Sequence, residues 1–244
     1  MILLKRKFRL SLLGFILFAQ FFHSCATLKQ MGLVPSELEM ITGLKDALNQ
    51  GLFRSFDAFN NPNENPLVKF AFPGDAAKIE KTLRDLGLSS ALDQVTGKFT
   101  RAMSQAVQVS KPMFVNSIKK MTIKDAANIL VTDNPHAATE YFKRVNKDAL
   151  LTAFRPIVDS TIKVEKADLD WNKITSIYNL IPLQKQPLEK DLTDFISARA
   201  IDGMFMVIGS EEANIRNKYE FRKTDMMQKV FAYAEEELKK RLSK

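Results

Sequence analysis

The chain has 244 residues, of which 45% are hydrophobic and 26% charged, with 9 glycines and 9 prolines. That balance fits one folded domain or two small ones and excludes a disordered or low-complexity chain. The formal net charge is +8, but Lys5, Arg6, Lys7 and Arg9 crowd the N-terminus with no acidic residue among them; setting these four aside leaves +4, a mild excess without the basic stripe that nucleic-acid binding needs.

Residues 1–24 read as a signal peptide. The four cations form the basic region, Leu10 to Phe22 form an apolar core of a length suited to a leader, and Ser24 is the small residue before the cut. The apolar run is too short for a comfortable membrane span, which needs roughly 20 residues. Cys25 follows, the single cysteine of the chain, so no intramolecular disulfide can form. Phe22-His23-Ser24-Cys25 resembles a lipobox, loosely, and predicts lipid attachment at Cys25, with several acyl chains giving a stable anchor. Ala26, not an aspartate, comes next, which leans toward the outer membrane, and the absence of an acidic run favours its periplasmic face. Residues 25–35 form a short tether; ten residues reach at most about 35 Å.

From residue 36 to 244 the patterns predict one all-α domain. Ser36 with Glu39 has the spacing of a capping box, and Leu38, Ile41, Leu44, Leu48, Leu52 and Phe56 recur at helical intervals up to Asn60-Asn61-Pro62. Residues 68–73 alternate and form the single strand-like run. Helices are then predicted over 75–86, ended by Gly87, over 90–109 and 112–120, and from Thr122 and Asp125 through Val131. Asn134-Pro135 opens another to about Val145, followed by helices over 147–162, 170–180, 188–217 and 224–242. About nine helices of this kind make a compact, non-bundle fold. On the last one, about residues 224–242, Met227, Val230, Phe231, Ala234, Leu238 and Leu242 form an apolar stripe. Opposite lie Glu235–Lys239, Glu236–Lys240 and Glu237–Arg241, acid-before-base pairs four apart; the face is either solvated or turned to a partner or membrane.

The residue types exclude several chemistries. Once His23 leaves with the leader, His136 is the sole histidine, so neither a di-iron centre built on Glu-x-x-His pairs nor a multi-histidine or multi-cysteine zinc site can be assembled in one chain. No nucleophile elbow or phosphate-binding glycine loop occurs. No metal and no cofactor is expected. Carboxylate chemistry stays open. The helix that reaches Asn217 has Arg199, Asp202, Gly209, Glu212, Ala213 and Arg216 on one side and Ile201, Met204, Ile208 and Ile215 on the other, with Glu211 on the apolar side. Such charges form either a salt-bridge set that fixes packing or a ligand site, with Arg144 an expected partner for Glu211 or Asp202.

Several blocks carry a resemblance to a known family. Asp133-Asn134-Pro135-His136-Ala137-Ala138-Thr139-Glu140-Tyr141-Phe142-Lys143-Arg144, Phe154-Arg155-Pro156-Ile157-Val158, Ala200-Ile201-Asp202-Gly203-Met204-Phe205, Glu211-Glu212-Ala213-Asn214-Ile215-Arg216 and Thr224 to Phe231 resemble the motifs of the bacterial domain of unknown function 4197. The Asn61-to-Pro73 loop is similar too, so the likeness runs over about residues 38–231. Val131-Thr132 stands where the pattern has a glycine, and the chain continues past Phe231. The resemblance implies an exported helical domain and assigns no catalytic residue. Read together, the sequence predicts an envelope lipoprotein with a binding or structural role, the alternative being a carboxylate-dependent enzyme acting on an envelope polymer or small molecule.

Overall fold

A computed structural model describes residues 34–72, 76–180 and 191–243. The leader and Cys25 lie outside the described residues, as does the start of the helix expected over 188–217. Nine α-helices and no strand appear among the described residues: α1 (Glu37–Asn60), α2 (Ala76–Asp85), α3 (Ser89–Val109), α4 (Lys111–Lys120), α5 (Ile123–Leu130), α6 (Ala137–Val164), α7 (Ala167–Asn179), α8 (Thr193–Asn217) and α9 (Asp225–Leu242). The fold class is therefore all-α, as the periodicity predicted, in one compact domain.

Local signals set several helix ends. Ser36 accepts from the Glu39 N–H while the Glu39 carboxylate accepts from the Ser36 N–H, and Thr122 and Asp125 close the same reciprocal cap on α5. Thr224 caps α9. Gly87, at φ +80°, ends the turn after α2 in the left-handed region that glycine enters freely.

Two expectations are corrected. The run expected over 68–73 joins no strand over its described part, residues 68–72. Pro66–Val68 is a 3-10 turn capped by Asn65, and the Phe70 N–H donates to Thr100 Oγ1 on α3 at 3.0 Å. The alternation has a different cause: Phe70 packs on Phe99 and Phe195, while Phe72 stacks on Trp171. The second correction joins the helices expected over 134–145 and 147–162 into α6, with Pro156 inside it. Asparagine in a helix usually competes for backbone groups. Here Asn146 is buried and its side chain is satisfied, accepting from Ser117 Oγ at 2.5 Å and donating to the Phe142 carbonyl at 2.9 Å. Phe154 and Val158, on either side of Pro156, are both fully buried in the core.

α8 is the hub. It packs against α1, α3 and α6, with α9 and the Pro66–Val68 turn adding further contacts. α1 and α9 cross closely at Gly43, where a Cβ would stand 2.9 Å from the Met226 carbonyl and from Val230. Glu39 also ties these two helices, accepting from Lys229 Nζ at 2.7 Å. That bond, with the Ser36 N–H, lowers the Glu39 carboxyl from its ordinary 4.5 to about 2. A carboxyl depressed by folding stabilises the fold above its unfolded value and loses that contribution as the pH falls toward the folded value. The window here is between 4.5 and about 2. In Lys229→Met the Glu39 titration, followed by carbon NMR, should move up toward the ordinary value, and acid unfolding should begin at higher pH. An unchanged titration would show that Lys229 does not set it.

Candidate functional site

The charged side of α8 divides into a closed clasp and an open groove. The clasp is built on Glu212 and Arg216, one helical turn apart, whose side chains are 9% and 10% exposed. Glu212 Oε1 accepts from the Ala138 N–H at 2.9 Å, and Oε2 accepts from the Thr139 N–H at 2.8 Å and from Thr139 Oγ1 at 2.7 Å. These amides belong to the first turn of α6, whose preceding residue, His136, supplies no side-chain cap. A residue of α8 thus caps α6, placing a negative charge at the positive end of its dipole. Arg216 donates to Glu212 at 2.8 Å and also to the carbonyls of Ile129 and Leu130 at 2.8 and 3.3 Å, the final residues of α5. One acid–base pair therefore serves a helix N-terminus and a helix C-terminus together.

Arg222 extends the arrangement. It is 4% exposed. It donates to the carbonyls of Ile215 and Arg216 at the end of α8 and pairs with Glu235 of α9. The Arg216 and Arg222 guanidiniums each lie 5.8 Å from the Phe231 ring centroid. Sequence reasoning missed Arg222. The available signal was its place just beyond a helix C-terminus, where cations satisfy free carbonyls. Its pairing also takes Glu235 from the expected Glu235–Lys239 pair; among the three pairs predicted on α9, Glu237 instead meets Lys240, three residues on. The apolar stripe fades before its end, for Leu242 is 74% exposed.

Glu211 is buried, but Arg144 is not its partner, nor is it that of Asp202. Gln50 Nε2 donates to Glu211 at 2.7 Å and Arg54 lies 4.0 Å away. Arg144 is exposed and sits over the Tyr141 ring at 5.6 Å. The reason is rotational: Thr139 and Lys143, four apart on α6, face α8, and Arg144 is turned about 100° from Lys143. Asp202 therefore meets Lys143, at 2.8 Å.

The groove runs between α6 and α8, with a volume of about 560 Å³. α6 contributes Thr139 and Lys143, with His136 just before it; α8 contributes Arg199, Asp202, Met206 and Gly209 over a floor of buried Phe205. The α6 start approaches α8 closely at Gly209, where a Cβ would stand 3.3 Å from His136 Nδ1. Arg199 Nε is shut off from solvent and has no hydrogen-bond acceptor among the described residues. Glu211 opens on a separate cleft, with Arg54, Asp57 and Glu64. The two carboxylates singled out in the sequence thus do not face a common space. Among the described residues no group of three His, Cys, Asp or Glu side chains is placed to hold a metal ion, and no helix is long and apolar enough to cross a membrane.

The family model described as protein of unknown function (DUF4197) matches residues 34–232, from the start of α1 to the middle of α9. No curated protein and no solved structure matches the chain.

Proposed function

The chain belongs to the DUF4197 family of proteins of unknown function, and from that premise we propose an exported envelope lipoprotein whose helical domain binds a ligand or partner in the groove between α6 and α8. The observation that carries the binding role is Arg199, a cation on the groove wall with no carboxylate partner among the described residues, beside a satisfied Lys143–Asp202 pair. A cation that lines a groove without a counter-charge is a place for an anionic ligand to complete. The clasp has no such vacancy in its bonding and is assigned to holding the fold. An enzymatic role finds less support. Paired carboxylates act on one bond from separations of about 5–10 Å across a shared cleft, whereas Asp202 and Glu211 open onto different ones.

Anchoring rests on the order of basic residues, apolar run and Cys25. With the thioether at Cys25 and a tether that ends at Pro35, the domain would stay within about 35 Å of its membrane, on the periplasmic face of the outer membrane in this reading. Cys25→Ala should release the chain from the membrane fraction or stall its processing. Detergent-phase partitioning that is the same for both forms would remove the lipoprotein reading.

A further inference from the structure

We propose that the α6–α8 groove takes an anion attached to an apolar chain, with the charged head held by the Arg199 guanidinium; this rests on reading that groove as the binding site. Asp202 stands three residues after Arg199, a spacing at which helical side chains meet. Its carboxylate nevertheless accepts from Lys143 across the groove at 2.8 Å. Among the described residues Arg199 is left as the groove's cation without a carboxylate, and Lys143 and Arg199 together outweigh Asp202. The guanidinium fork matches the paired oxygens of a carboxylate or phosphate, and such charge-assisted bonds are the strong ones. Arg199 lines the groove beside Asp202, so an anion there would supply the counter-charge that Asp202 gives to Lys143.

The remainder of the groove suits a chain. Phe205 closes the floor at 3% exposure, and Met206, 39% exposed, stands on the rim; a thioether side chain adapts readily to an irregular apolar body. At Gly209 the groove closes, since His136 and Thr139 pack within 3.3–3.7 Å of where a Cβ would stand. From Arg199 to Gly209 the groove follows α8 for about 15 Å, an elongated shape with its unpaired charge at one end. A fatty carboxylate and a lysolipid phosphate share this chemistry.

The test uses the full chain in nanodiscs of neutral phosphatidylcholine, titrated calorimetrically with octanoate, octyl phosphate and octanol, with empty discs subtracted. At least one anion should bind, and octanol should bind about tenfold more weakly or worse, the loss of one charge-assisted contact. Arg199→Met should weaken the anion by a similar factor. Arg199→Lys, which keeps the charge and loses the fork, should fall between and serves if Arg199→Met proves unstable. Asp202→Asn, which frees Lys143 for the ligand, should tighten binding. Preference for octanoate identifies a carboxylate head and preference for octyl phosphate a phosphate head; either supports the proposal. Anion binding that is unchanged in both Arg199 variants overturns it. Octanol binding that equals the anions and disappears in Met206→Trp keeps the groove as a site and removes the anion. No binding of any probe to the wild type removes both readings.

Discussion

Glu212→Ala is expected to destabilise the domain by about 3–5 kcal/mol, the typical loss when one partner of a buried pair is removed. Three costs coincide there. Arg216, only 10% exposed, keeps its charge without a carboxylate. The Ala138 and Thr139 amides lose the acceptor that caps α6, and an N-cap alone is worth about 1 kcal/mol. The Thr139 hydroxyl loses its partner as well. Glu212→Gln should fall between the wild type and Glu212→Ala, since an amide oxygen can still accept one N–H but leaves Arg216 uncompensated. Urea unfolding would read the series as shifts of midpoint at constant slope. Glu211→Ala should cost less, because its carboxylate meets Gln50 and an Arg54 side chain that is 63% exposed and open to water. Arg144→Ala should change nothing measurable, since its guanidinium is exposed over Tyr141. A Glu212→Ala protein that unfolds at the wild-type midpoint would mean the clasp is decorative.

Phe231→Ala should be comparably severe, about 3–5 kcal/mol for truncating a buried aromatic ring. Phe231 is 2% exposed and its ring lies against both Arg216 and Arg222. It is thus the apolar contact that brings α9 onto the charged end of α8. Phe231→Leu separates the two parts of the effect. Most of the volume remains, while the ring quadrupole that attracts two partly desolvated guanidiniums is lost, a term of about 0.5–2 kcal/mol per contact. The double variant Phe231→Leu with Arg216→Met should lose less than the sum of the single losses, because the ring and the cation share one interaction. Strict additivity would show that the ring acts by volume alone. The family match ends at residue 232, so Phe231 lies within it while Glu235, which pairs with Arg222, lies beyond.

What the sequence determined by itself is local. Ser36 with Glu39, Thr122 with Asp125, Thr224 and Gly87 mark their helix ends through bonds and dihedrals within a few residues, and apolar periodicity carries the all-α class because a helix must bury one stripe. Glu212 and Arg216 were legible as a pair for the same reason, standing one turn apart. Tertiary structure decided everything that depends on which faces meet. Asn146 breaks a helix by propensity but not when Ser117 occupies its carbonyl. Phe70 and Phe72 alternate because an aromatic cluster takes both, and their backbone never enters a sheet. Asp202 had Arg199 within reach on its own helix and took Lys143 on another, which leaves Arg199 without a carboxylate among the described residues. A rotation of about 100° per residue sent Arg144 to solvent and Lys143 into the groove. No pattern along one chain contains that choice, because it depends on the relative rotation of two helices whose paired residues, Lys143 and Asp202, lie 59 apart in sequence.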